Sequence, residues 1–385
     1  MAPSHLTLRV ADGAYKLTEN LLSKAHYTYD VVYQGYLANH LPHGLYTLCA
    51  LGASTERIQE FHDRYVQRLE PKRKANTIID SSNWTEHIGN KNFYSDYLRF
   101  FDEEVNSKGM KATFDLYFNQ LMGESLGAAL HPLIDIGYAM EFSNPMLLSE
   151  GLSYTCMSPL QDTSKILEDG ESIQSSADLK IVDLLKELQA IHLPGLRKEK
   201  GNFSSKTKFL LQNHWMVFKD LIAKWDLSRS DELNAKLNEL TEASILGVFA
   251  TYPQNIDFFL VHGLTGNHAV RILFSNLPED MQRKVLKVNL LGLLTDYVVQ
   301  GSPEIDVNVI TGYKEADQEE SWENILERTI ATDEEHVLKV VRSLIYYMEK
   351  VPAAKRSELF TEKFLKKCAL KMVDIIHLVG DYRFD

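Results

Sequence analysis

Cysteine is scarce: Cys49, Cys156 and Cys368 are the only three in 385 residues, far apart and with no CxxC pair. An odd count at such spacings supports neither a disulfide framework nor a zinc knuckle. A reducing compartment, by default the cytosol, is the expectation. Long apolar runs are also missing, and no stretch approaches the roughly 18 residues needed to span a bilayer. The opening MAPSHLTLRVADG lacks the apolar segment of a signal peptide. Basic clusters reduce to Lys72-Arg73-Lys74 in a chain of formal net charge −12, which argues against nucleic acid and anionic membranes as partners. No GxGxxG follows a strand pattern and no P-loop occurs, so no nicotinamide, flavin or nucleotide site is legible. Strand alternation is nearly absent; Asp306 to Ile310 (DVNVI) is the best candidate, and it is short. Internal repeats and low-complexity tracts are lacking.

What remains is helical. Hydrophobic residues make up 44% of the chain, enough for a buried core. Ser54 to Leu69 places Ile58, Phe61, Tyr65 and Leu69 at spacings of three and four, one apolar stripe of a helix capped by Ser54. Asn92 to Phe118 reads as a further helical stretch, as do Lys180 to Ala190, Leu233 to Val248, Met281 to Val299, Ser321 to Ile330 and Leu359 to Leu378. Three polar stretches interrupt them: Ser158 to Asp178, Pro194 to Lys208 and Gly301 to Glu320. Candidate site residues flank each one, so they read as surface loops and not as linkers. The expected fold is all-α, a multi-helix orthogonal or bundle-like single domain over residues 1–385, with a metal site in the helical core. Nothing in the sequence sets the oligomeric state.

The histidines, thirteen in number, sort by context. His5, His87 and His192 fall in or near loops and read as surface residues. His26 and His214 lie on amphipathic helices without a polar companion and read as packing residues. His40, His131, His262 and His336 sit in segments unusually apolar or glycine-rich for histidine, such as Phe258-Phe259-Leu260-Val261-His262-Gly263. A buried neutral imidazole still needs partners for its ring nitrogens, so each is either hydrogen-bonded or a metal ligand. Singly, each is more simply a hydrogen-bonded core residue; four together favour a shared site, which composition alone does not demonstrate.

Near the C-terminal third, Thr332 with Glu335 reads as a capping box opening a helix through Thr332-Asp333-Glu334-Glu335-His336-Val337-Leu338-Lys339. His336 and Lys339 then share one helical face. A lysine there is a solvated neighbour or, if buried, an amine whose lowered pKa exposes a lone pair. Such an amine can react with carbon dioxide to give an anionic carbamate.

Four segments occur in order: NHLPHGLYTLCALGAS from Asn39, SLGAALHPLIDIGYAMEF from Ser125, FFLVHGLTGNHAVRILF from Phe258 and DEEHVLKVVRSL from Asp333. With YSDYLRFF at Tyr94 to Phe101, they resemble the questin oxidase-like family over residues of about 28 to 350. That resemblance implies a non-haem iron oxidoreductase using dioxygen on an aromatic or quinone-like substrate, by Baeyer–Villiger-type oxidation or ring cleavage. It also implies iron(II) held by His40, His131, His262, His336 and an N6-carboxylated Lys339, with His43 as competitor at the first position. Asp135, four residues after His131, and Glu141, ten after it, are spaced to support a ligand from behind. His268 lies off the face of His262 and reads as lining or packing. NADPH enters only as an external reductant, since no binding motif for it occurs. Two rival readings remain. One is an HD-type metal-dependent phosphohydrolase, from His62-Asp63 with His40 upstream. The other is a non-catalytic helical protein whose histidines satisfy one another.

Overall fold

The computed structural model describes residues 10–167, 178–314, 320–375 and 378. The chain opens with α1 (Ala14–Thr28), α2 (Leu41–Ala50) and α3 (Thr55–Tyr65). Next come α4 (Tyr94–Lys108), α5 (Met110–Leu121), α6 (His131–Phe142), α7 (Pro145–Met157) and the single turn α8 (Ser164–Leu167). They are followed by α9 (Ile181–Ala190), α10 (Phe203–Asn213), α11 (Trp215–Ala223), α12 (Leu233–Phe249), α13 (Phe258–Phe274) and α14 (Glu279–Val299). The series ends with α15 (Asn308–Thr311), α16 (Trp322–Ala331), α17 (Glu335–Lys350) and α18 (Glu362–Asp374). Among the described residues no helix is long and apolar enough to cross a membrane.

Local chemistry explains many boundaries. Ser54, Ser321 and Thr361 cap α3, α16 and α18 by accepting from a backbone N–H three residues on. The stretch expected from Asn92 to Phe118 is two helices, because Gly109 sits at φ 84°, a conformation glycine adopts without steric cost. The expected capping box at Thr332 is not formed. The Thr332 hydroxyl accepts from Glu334 N–H, and Glu334 is the cap, its carboxylate accepting from His336 N–H. Asp306 to Ile310 is no strand: the Asp306 carboxylate accepts from Asn308 N–H and starts α15. The strands are instead β1 (Val32–Tyr33) and β2 (Leu37–Ala38), an antiparallel hairpin with Val32 opposite Ala38. At two residues each, they are too short for alternation to register.

The expected loop Pro194 to Lys208 ends in α10, which Asn202 caps. The loop Ser158 to Asp178 contains α8, with residues 168–177 outside the described set, and Gly301 to Glu320 contains α15, with 315–319 outside it. His5 also lies outside the described residues. His26 has polar companions after all: Glu150 at 2.7 Å and Asp102 at 3.1 Å, from α7 and α4. Burial opposes its charge, but these two carboxylates outweigh burial and raise its pKa to about 9. His214 also has a partner, the Pro194 carbonyl at 3.0 Å.

One contiguous apolar core draws residues from Ala14 to Val373. At its centre α6 packs against α7 and α13, while α17 packs against α2, α13 and α18. Glycines set the closest approaches. A Cβ on Gly137 of α6 would overlap Ala269 of α13, and one on Gly151 of α7 would meet Ile136 and Asp135 of α6. Helices α6 and α13 carry His131 and His262, so this crossing also sets how near those two imidazoles come. Gly137→Leu is expected to cost about 1–3 kcal/mol through overpacking and to lower the melting temperature. An unchanged melting temperature would show that the crossing has slack.

Candidate metal centre

Four histidines converge from the N-terminal ends of four helices. His40 directly precedes α2, His131 is the first residue of α6, His262 lies early in α13, and His336 is in the first turn of α17. All four are buried, His262 completely. Each ring is tethered through Nδ1. His40 Nδ1 meets the Ala38 carbonyl at 2.8 Å, His262 Nδ1 the Phe258 carbonyl at 2.7 Å, and His336 Nδ1 the Glu334 carboxylate at 2.6 Å. His131 Nδ1 bonds the Ala128 carbonyl. A nitrogen facing an acceptor carries the proton, so in each neutral ring Nε2 is a lone pair.

Those lone pairs meet. His131 Nε2 is 2.8 Å from His40 Nε2 and 3.2 Å from His262 Nε2. Ring nitrogens of His40, His262 and His336 lie within 4.8 Å of one another, and His336 Nε2 has no partner. Two lone pairs cannot hydrogen-bond each other. Either an extra proton or a cation must sit between them, and burial, with Lys339 and neighbouring histidines adding to it, holds all four pKa values well below the usual range. Two nitrogens about 2.1 Å from a shared ion and at right angles to it stand about 3.0 Å apart. The donor set therefore fits a nitrogen-seeking cation.

The backbone is shaped for this. Ala128, Ala129 and Leu130 all take positive φ, at 48°, 53° and 63°, which costs non-glycine residues roughly 1–2 kcal/mol each. The strained run directs the Ala128 carbonyl at His131 and ends at Leu130; Pro132, two residues on, has a missing N–H that does no harm in the first turn of α6. Pro42 likewise lies in the first turn of α2, so His40 is excluded from the helix and its N–H donates to the Tyr65 hydroxyl at 2.8 Å.

Lys339 is 1% exposed and its Nζ has no hydrogen-bond partner. Burial lowers its pKa to about 8 against the opposing pull of Glu335, Glu334 and Asp135. Glu335, expected only as a cap residue, is itself buried, and its pKa rises to about 7; its carboxylate is 3.7 Å from His40 Nδ1. His43 does not join the four. Its Nε2 pairs with Asp135 at 2.7 Å, and its Nδ1 is buried without a partner. Its ring centroid is 5.5 Å from that of His40, so the Asp135–His43 pair backs the cluster.

Glu141 and His268 lie elsewhere. Glu141 is bound by Arg342, whose other guanidinium nitrogen is 3.2 Å from His268 Nε2. The guanidinium carbon stands 5.3 Å above Tyr138 and 5.2 Å above Phe142. Arg342 was not singled out from the sequence, although it follows Lys339 by three residues on one face. His62 bonds its neighbour Asp63 at 2.8 Å, and the Asp63 side chain is 61% exposed, so that dipeptide forms no buried metal site. Glu334 and the three tethering carbonyls were also missed. Carbonyl roles leave no trace in side-chain identity.

A cleft of about 1130 Å³ opens onto the cluster, lined by His40, His131 and His336. Tyr36 from the hairpin turn and the Phe203–Phe259 pair also line it; those two phenylalanine rings stack at 4.0 Å and 3°. A drug-sized organic molecule fits such a space.

Comparison with known proteins defines the class: this is an enzyme, an oxidoreductase. The chain belongs to the questin oxidase-like family, whose profile matches residues 37–344. It is 27% identical over 372 residues to the oxidoreductase AflY of Aspergillus parasiticus, covering 89% of this chain and 73% of that one. A Baeyer–Villiger oxidase of Pestalotiopsis microspora is 26% identical over 369 residues, covering 86% of this chain and 80% of its own. The questin oxidase of Aspergillus terreus is 24% identical over 379 residues, with 89% and 84% covered. The family assignment supersedes the phosphohydrolase and non-catalytic readings.

Lys339 yields a stability test. Its folded-state pKa of about 8 lies below the ordinary 10.5, so the unfolded chain takes up this proton first as pH falls. Stability tied to Lys339 is therefore lost between those two values on the way down and stays lost below them. Lys339→Met should raise the melting temperature of metal-free protein near pH ~7, with a smaller gain near pH ~10. Destabilisation at neutral pH would show that the ammonium is well compensated.

Proposed function

We propose that His40, His131, His262, His336 and Lys339 hold one metal ion, iron(II), and that the enzyme uses dioxygen to oxidise an aromatic or quinone-like molecule. The reaction is Baeyer–Villiger-type oxygen insertion or ring cleavage. The observation that carries this reading is the four Nδ1 tethers, which leave four Nε2 lone pairs in one cluster, with ring nitrogens of His40, His262 and His336 within 4.8 Å of one another and His131 Nε2 beside those of His40 and His262. Imidazoles without cysteine suit iron, copper, nickel or zinc, whereas magnesium and calcium favour oxygen donors. The names of the relatives, which include an oxidoreductase, a Baeyer–Villiger oxidase and a questin oxidase, favour a redox-active ion among these. When bound, such an ion supplies a Lewis-acidic centre able to engage dioxygen.

The chain's own residues supply the setting. An ammonium about 4 Å from a divalent ion would be repelled by roughly 8 kcal/mol at an effective dielectric of 20, so Lys339 has to shed its charge. Its lowered pKa makes the free amine accessible near neutrality. Addition of carbon dioxide then forms an N–C bond, releases one proton and yields an anionic oxygen donor that four neutral imidazoles lack. Asp135 holds His43 against the back of the cluster. The cleft offers Tyr36 and the stacked Phe203–Phe259 pair to a planar ring, and Glu335, also on its lining, is placed to exchange a proton. A reductant such as NADPH enters from solution. Three buried free thiols suit the cytosol.

Protein produced with iron supplied is expected to carry about one iron per chain by elemental analysis, a 1:1 site. His40→Ala, His131→Ala, His262→Ala and His336→Ala should each lower occupancy sharply, whereas His43→Ala should retain more metal than His40→Ala. Lys339→Ala should lose metal or activity and be partly restored by short carboxylates. Full occupancy in all four histidine variants would remove the basis of the reading.

A further inference from the structure

Behind the histidine cluster, the carboxylates of two histidine–carboxylate pairs line a single water-sized cavity. One is His43 with Asp135, 2.7 Å apart. The other is His26 with Glu150, also at 2.7 Å, and the far nitrogen of His26 reaches Asp102 at 3.1 Å. The His26 side chain is 1% exposed, whereas those of Asp102 and Glu150 are 27% and 17% exposed. The cavity between the pairs measures about 20 Å³, and Asp135, Glu150, Tyr94, Asn39 and Asn144 are on its wall. That volume holds one water molecule, and these polar groups can satisfy it. Helices α6 and α7 touch at this level because Gly151, next to Glu150, has no Cβ to collide with Asp135. Neither His43 nor Asp135 lines the substrate cleft.

We propose that Asp102, His26, Glu150, one water and Asp135 form a proton path from the surface to His43 at the back of the histidine cluster. The inference rests on the dioxygen chemistry proposed above. An oxygenase that inserts one oxygen atom and releases the other as water takes up two protons, with two electrons from a reductant in solution. A substrate filling the cleft blocks solvent from that side, so protons beyond the one Glu335 can hold there need another entrance.

The hops balance. His26, which the two carboxylates keep charged, releases its Nδ1 proton to Glu150, and the neutral ring then turns and regains a proton from solvent by way of Asp102. Glu150 protonates the water, the water protonates Asp135, and Asp135 protonates His43 Nε2. Each hop breaks one N–H or O–H bond and forms another; one proton enters, one is delivered, and no electron moves.

Two measurements decide it. A crystal structure of the full metal-free chain is expected to show one ordered water within about 3.2 Å of both the Glu150 and Asp135 carboxyl groups. A cavity without that water breaks the path. Second, oxygen consumption is measured on iron-loaded protein with an anthraquinone as probe. Glu150→Gln keeps the shape and the bond to His26 but cannot pass a proton. Its kcat should fall about tenfold or more, with KM unchanged and a larger solvent deuterium isotope effect. Glu150→Ala should be partly restored by formate. An unchanged kcat and isotope effect in Glu150→Gln, or a loss that only tracks melting temperature and resists rescue, overturns the path. If the unaltered chain consumes no oxygen, the proposed function fails instead, and the bridging water alone decides whether the path exists.

Discussion

Four hydrogen bonds from imidazole Nδ1 atoms govern this structure. Each removes the freedom of a histidine to present either nitrogen, and each leaves an Nε2 lone pair within one buried cluster. The acceptors are all local in sequence, two to four residues before their histidine. They are produced by four different devices. His40 uses the end of a two-residue strand, His131 a left-handed backbone run, His262 the carbonyl of its own preceding helical turn, and His336 a carboxylate that doubles as helix cap. The strained run at Ala128 to Leu130 and the late start of α17 both follow from this requirement. Strain of this kind persists only where surrounding packing over-determines it.

Convergence of four helix N-termini has an electrostatic consequence. Each brings partial positive charge to the centre, in addition to the buried Lys339. This electropositive setting, through Lys339, adds to burial, the main cause of the depressed imidazole pKa values. It would also oppose a cation were no negative charge present. Glu334 and Glu335 stand at the mouth of α17, and Asp135 lies behind His43, so the negative charge available comes from residues adjoining the ligands. The cleft opens on the side of Glu334 and Glu335, whereas the Asp135 side is closed by α7.

The remaining polar groups of the interior are not scattered. Arg342, Glu141 and His268 form one closed set under Tyr138 and Phe142, and Asp102, His26 and Glu150 form another at the junction of α1, α4 and α7. The charges of each are paired within it, with one Glu141 oxygen left without a hydrogen-bond partner. Both flank the histidine cluster, one along α6 and α17, the other across α7.

Helical content and the starts of several helices were legible in the residues, because amphipathic spacing and side-chain caps are local properties. Ser54, Ser321 and Thr361 mark their helix starts without help from tertiary contacts. Family resemblance, carried by four ordered motifs, selected the same histidines that burial in apolar segments made conspicuous. Pairing was not legible. Thr332 has the spacing of a cap, but its hydroxyl is taken by Glu334, and only the packed turn decides that competition. His26 looked like a packing residue because Glu150 and Asp102 lie 124 and 76 residues away. Glu141 had the spacing to support His131, yet Arg342, 201 residues on, draws it away. His40 and His43 could not be told apart from sequence, since Pro42 breaks the helical phase between them; the hairpin carbonyl of Ala38 and the carboxylate of Asp135 separate them in space. Local periodicity thus determined which residues become buried. Which buried groups meet depended on helix crossings set by Gly137 and Gly151, contacts between segments that no single stretch of sequence encodes.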